Sequence, residues 1–178
     1  MRSAIANFLK AFLRGLGFQV FRTNRLGHDP LQDIVEISDQ YGIPIETIFD
    51  VGAHRGGSTS AFRNRFPNAK ILCFEPDPVS FELLSGQFAP DQQVKMFRQA
   101  LADKPGIMPF HIYPNSFINS LNSNAPFAQT YGATAEAIEV EVSTIDIVAQ
   151  INSIDRINFL KVDTEGFDPQ VLQGAIDT

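Results

Sequence analysis

The stretch TIFDVGAHRGGSTS, residues 47–60, decides the fold. Ile48, Phe49 and Val51 are β-branched or aromatic and suit a buried strand, while Gly52, Gly56 and Gly57 let the backbone turn sharply and approach a ligand with no Cβ in the way. The hydroxyl of Ser58 or Thr59 is placed to cap a helix over residues 60–66, which Pro67-Asn68 ends. A second apolar run, residues 70–74, then closes on Glu75-Pro76-Asp77. This is a βαβ unit. Asp50 and Glu75 lie 25 residues apart, one strand, helix and strand, so each carboxylate belongs at the carboxyl end of one of two neighbouring parallel strands. Doubly wound sheets bind nucleotides in that crevice.

Upstream, Ile5, Phe8, Leu9, Phe12, Leu13 and Leu16 recur at helical spacing, with Lys10 and Arg14 off the stripe, so residues 1–28 form a basic amphipathic segment ahead of the domain at 29–178. Such a helix docks on protein or lies on an anionic membrane surface through residues 1–20; charges interrupt it too early for a signal peptide or a bilayer span. Asp29-Pro30 reads as an N-cap and first helical residue, and Gly42 as the helix end.

Downstream, the pattern predicts a helix from Pro78 and a third strand at residues 93–98 that continues through residues 99–103. Paired strands follow at 107–113 and 137–142, separated by a polar connection at 114–134 long enough to be functional. Asn119-Ser120 within it either line a pocket or are simply loop. Thr144 caps a helix, residues 157–162 form a near-continuous apolar strand ending in Asp163-Thr-Glu-Gly166, and Pro169 opens a helix that Gly174 closes.

Composition narrows the function. The chain has 178 residues, 44% of them hydrophobic and 19% charged, which suits one α/β domain. The net charge of −6 combines +5 in residues 1–28 with −11 in the remainder, which argues against nucleic acid and for a small-molecule partner. The single cysteine, Cys73, excludes an internal disulfide and fits a reducing, cytoplasmic compartment. His28, His54 and His111 have no zinc spacing, so no metal ligand set is assigned.

A dinucleotide fingerprint wants a second glycine where His54 stands, which weakens an NAD-dependent oxidoreductase reading, and no P-loop is present. Glu75 suits both hydroxyls of a ribose, and a turn of backbone N–H groups can receive a carboxylate, with Asp50 holding the turn or answering a cation. A zwitterionic amino-acid nucleoside matches both.

Taken in order, IFDVGAHRG, FEPDP, QALAD, STIDIV and FLKVDTEGFDPQVLQGA resemble the motifs of the FkbM family of S-adenosylmethionine-dependent methyltransferases, over residues 47–175. The resemblance implies a Rossmann-like class I methyltransferase fold with a mostly parallel sheet. It implies that Asp50, Gly52, Ala53, His54, Gly56 and Gly57 hold the methionine part of S-adenosylmethionine, and Glu75 with Pro76 the ribose. Ala100, Leu101 and Asp103 would lie by the adenine, with Asp163 and Glu165 at the transferred methyl group. His54 departs from the family, which often has Asn there.

The resemblance also implies O-methylation of a hydroxyl on a sugar, glycan or secondary metabolite; a non-catalytic or incomplete cofactor-binding module is the alternative. Asp163 or Glu165, with His111 behind them, is the candidate base, and a divalent cation on the same carboxylates is an open alternative that no motif supports. The family sheet has seven strands, with the strand ending at Val162 central. The chain is therefore expected to stop after its fourth core strand and to leave residues 157–162 at an open edge, inviting self-association or another partner.

Overall fold

A computed structural model describes residues 29–123 and 136–177. The basic segment 1–28 and the second half of the 114–134 connection lie outside the described residues. The chain separates into two compact units, 1–43 and 44–178, each treated on its own.

In the first unit, α1 (Pro30–Tyr41) starts as its sequence dictates. The Asp29 carboxylate accepts from the N–H groups of Leu31 (3.0 Å) and Gln32 (3.2 Å), Pro30 occupies the first turn, and Gly42 ends the helix in the left-handed region at φ 64°.

The second unit carries two sheets. In the first, β1 (Thr47–Val51), β2 (Lys70–Phe74), β3 (Val94–Phe97) and β7 (Phe159–Val162) run parallel in the order β3-β2-β1-β7. The two central strands, β1 and β2, are fully buried from their second residue onward, as a parallel sheet flanked on both faces requires. Two helices follow the first two strands: α2 (Gly57–Arg65) and α3 (Pro78–Phe88), the latter capped by Asp77. The order reverses beside β1, where the chain leaves for β2 on one side and returns as β7 on the other. That is the switch point at which open α/β sheets place ligands.

The second sheet joins β4 (Ala100–Leu101), β6 (Glu136–Ser143) and β5 (Gly106–Ile112) in the order β4-β6-β5, with β5 and β6 antiparallel. Residues 99–103 therefore do not continue β3 as expected from sequence. The chain changes sheets after Phe97, and Ala100–Leu101 pairs in parallel with Val142–Ser143. Helices α4 (Ile145–Ile151), capped by Thr144, and α5 (Asp168–Gln173) complete the unit.

Phe49, Leu72 and Phe74 of the first sheet pack with Leu101, Ile145 and Val171 in one core. Phe74 stacks on Phe97 with centroids 5.1 Å apart. All four residues of β7 are only half-buried, and among the described residues the strand pairs with β1 alone.

Candidate functional site

The turn after β1 is strapped to the end of β2, because the N–H groups of Gly52 (3.0 Å) and Ala53 (3.1 Å) both donate to the Phe74 carbonyl. Gly52 has φ 75°, and a Cβ there would run into the Asp163 carbonyl at the end of β7. At Gly56, φ 88°, a Cβ would meet Phe88 and Leu84 of α3. Gly52 and Gly56 thus also let protein elements close on one another; at Gly57 a Cβ would meet nothing.

Asp50 is fully buried. Its Oδ2 accepts from the hydroxyls of Ser58 and Thr59, both at 2.7 Å. The sequence places those side chains as caps of a helix over residues 60–66; the helix instead starts at Gly57 behind Gly56 with no side-chain cap, so Ser58 and Thr59 lie in its first turn and their hydroxyls go to the buried carboxylate. Asp50 Oδ1 makes no hydrogen bond but lies 3.3 Å from Lys161 Nζ, opposite it in the β1–β7 register. Lys161 also donates to the Gly52 carbonyl (2.6 Å) and stands 3.6 Å from Asp163 Oδ2. One ammonium therefore neutralises the floor of the turn and steadies the end of β7. Cys73 lies beneath, its thiol 3.3 Å from Thr59 Oγ1 and pushed up to about 12 by burial and by the Asp50 charge.

Glu75, at the end of β2, is 5% exposed. Its Oε2 accepts the His54 N–H (2.7 Å) and its Oε1 the Asp77 N–H (2.9 Å). Burial raises the carboxyl to about 7 despite these two bonds.

Between the ends of β1, β2 and β7 and the second sheet lies an open crevice of about 90 Å³. Gly52, His54, Glu75, Pro76, Ala100, Leu101, Asp163 and Glu165 all line it. Asp50 and Ala53 are buried behind the turn, Gly56 packs on α3, and Gly57 and Asp103 are exposed outside the lining. His111 is likewise not part of the lining; its strand segment is held by paired backbone hydrogen bonds with Ser120 (2.8 and 3.1 Å).

Two lining residues, His54 (φ 50°) and Glu165 (φ 52°), are non-glycine residues in the left-handed region, a strain that proteins keep mainly at working sites. The Glu165 turn is braced: Asp168 Oδ1 accepts from the Thr164 N–H (2.8 Å) and hydroxyl (2.6 Å), and the Ser120 hydroxyl reaches the Thr164 and Glu165 carbonyls, both at 3.0 Å. Burial first, and then Asp163 and Asp168, push the Glu165 carboxyl upward.

Sequence reasoning overlooked the aromatic wall of Phe74, Phe110, Phe117 and Phe167 and the roles of Lys161 and Ser116. A lone lysine inside an apolar strand, FLKV, was the available signal for Lys161. Among the described residues no three His, Cys, Asp or Glu side chains cluster as metal ligands.

Residues 50–178 match the Methyltransferase FkbM domain. The chain belongs to the FkbM methyltransferase family. Within this family context, the chain is 28% identical over 155 residues to "Methyltransferase sdnD" of Sordaria araneosa, covering 72% of this chain and 60% of that protein. It is 27% identical over 146 residues to "Methyltransferase 1" of Beauveria bassiana, covering 73% and 58%. It is 23% identical over 144 residues to "2-O-methyltransferase NoeI" of Sinorhizobium fredii, covering 76% and 59%. The FkbM chain thus spans about three fifths of the length of these relatives. A solved coclaurine N-methyltransferase bound to N-methylheliamine and SAH aligns with 44% of this chain and 25% of its own, at 12% identity and a TM-score of 0.30, too weak a likeness to argue from.

Proposed function

We propose that the crevice binds S-adenosylmethionine and that the chain takes part in methylating a hydroxyl on a sugar, glycan or secondary metabolite. The observation that carries this is the buried Glu75 carboxylate facing the crevice beside the glycine turn, in a chain of a methyltransferase family. Its two carboxylate oxygens each hold one N–H and keep acceptor capacity for the ribose hydroxyls. Phe74, Leu101, Phe110 and Leu121 supply apolar walls for a flat base. The relative named as a 2-O-methyltransferase supports oxygen as the acceptor atom.

When bound, the cofactor supplies an electrophilic methyl group on a cationic sulfur. The protein aligns that methyl group with the acceptor oxygen, a contribution on the order of 7–11 kcal/mol. Glu165 is the candidate base: it lines the crevice on a braced turn, and burial together with Asp163 and Asp168 raises its affinity for a proton, while Asp163 stands beside it 3.6 Å from Lys161.

Calorimetric titration with S-adenosylmethionine, its demethylated product S-adenosylhomocysteine, and NAD tests the reading. Binding of the first two and not the third is expected; preference for NAD, or no change in affinity on Glu75→Ala, overturns it.

A further inference from the structure

Two segments more than sixty residues apart in sequence meet at the crevice: the turn after β1 and the 3-10 turn Ser116–Ile118. His54 makes the join. Its Nε2 lies 2.9 Å from Ser116 Oγ, and its ring lies against Phe117 with centroids 4.5 Å apart and planes inclined at 41°. Its own N–H meanwhile donates to Glu75 Oε2, so one residue links the second segment to the carboxylate assigned to the ribose.

The 3-10 turn is a finished piece of structure. Asn115 Oδ1 accepts the Phe117 N–H (3.2 Å), Asn119 Oδ1 accepts the Tyr113 N–H (2.8 Å), and His111 and Ser120 close its base. Phe117 nevertheless remains 66% exposed while lining the crevice, a large apolar ring at the mouth that lies against His54. His54 in turn sits in a backbone region that glycine occupies more easily, so a side chain is kept at this position against local strain.

Resting on the S-adenosylmethionine reading, we propose that His54 is a positioning residue: its imidazole fastens the Ser116–Ile118 turn across the crevice, so that His54 and Phe117 together cover the bound cofactor and slow its departure. The side chain at position 54 would thus set how tightly the cofactor is enclosed.

The test uses the whole 178-residue chain and S-adenosylhomocysteine, with affinity from calorimetry and dissociation rate from stopped flow. Loss of one neutral hydrogen bond corresponds to about a 2- to 10-fold effect, so His54→Ala and Ser116→Ala are each expected to speed dissociation within that range. The double variant should be little worse than His54→Ala alone, because the His54–Ser116 bond that Ser116→Ala removes is already gone. His54→Gln, whose amide reaches towards Ser116 from the same backbone, should recover most of the affinity. Phe117→Ala alters an exposed ring and leaves the fold intact, yet should also speed dissociation. Additive effects of His54→Ala and Ser116→Ala, or wild-type dissociation from Phe117→Ala, overturn the proposal while wild-type binding leaves the cofactor reading standing. Absence of any binding to the wild-type chain overturns both.

Discussion

Asp50 and Lys161 face one another across the β1–β7 pair, the carboxylate fully buried and the ammonium 3.3 Å from its free oxygen. Removing the ammonium leaves an anion in the sheet with no compensating cation. Lys161→Met should therefore destabilise the chain by about 3 kcal/mol, read as a fall in the urea midpoint at unchanged slope. Adding Asp50→Asn should return part of that loss. A change under about 1 kcal/mol in the single variant would mean that water reaches Asp50 and that the pair is not a structural tie.

On the S-adenosylmethionine reading, Glu75 should make binding depend on pH. Its folded pKa is raised from 4.5 to about 7, so between those values the unfolded chain ionises while the folded chain holds the proton. Stability from this group is accordingly present below about 4.5, falls as pH rises towards 7, and is level above it. Ribose hydroxyls favour the ionised form, so S-adenosylhomocysteine affinity should rise with pH through the same window and binding near pH 6.5 should release a proton. Calorimetry in buffers of different ionisation enthalpy measures that proton; its persistence in Glu75→Gln would assign it elsewhere.

The glycines of the turn should separate sharply. Gly52→Ala sets a Cβ against the Asp163 carbonyl and holds alanine at φ 75°, so loss of soluble folded protein is expected. Gly57→Ala, in the first turn of α2 with open space around it, should fold normally and gain up to about 0.5 kcal/mol in thermal or urea denaturation. Equal behaviour of the two variants would remove the packing explanation for Gly52.

The outer side of β7 has no strand partner among the described residues, and its side chains are half-buried. Exposed edges template pairing. Sedimentation velocity over rising concentration should show reversible association of the chain, reduced by Leu160→Lys; a monomer at every concentration would show that this edge is blunted without a partner.

The parallel βαβ unit was legible because its cues are local: β-branched runs, glycine punctuation, and acidic residues at strand ends 25 positions apart. Ala100–Leu101 was not, since which sheet a two-residue strand joins depends on Val142 and Ser143, forty residues later. Ser58 and Thr59 look like caps in sequence, but the helix already begins at Gly57 behind a left-handed Gly56, and from its first turn their hydroxyls reach Asp50. Glu75 and Asp163 could be placed by strand position, whereas Ser116 and Phe117 belong to an irregular segment whose partner, His54, is fixed by tertiary contacts.

Cys73, buried in β2 beside Thr59 and opposite Asp50 in the β1–β2 register, makes the chain its own clock. A thiol held near 12 and shut away from solvent is inert to alkylating reagents until the strands around it part, and no second cysteine competes for the label. The rate of labelling thus counts openings of the strand pair that ends in the crevice. Any ligand that seats against Glu75 should slow that count, whether or not its methyl group is ever transferred.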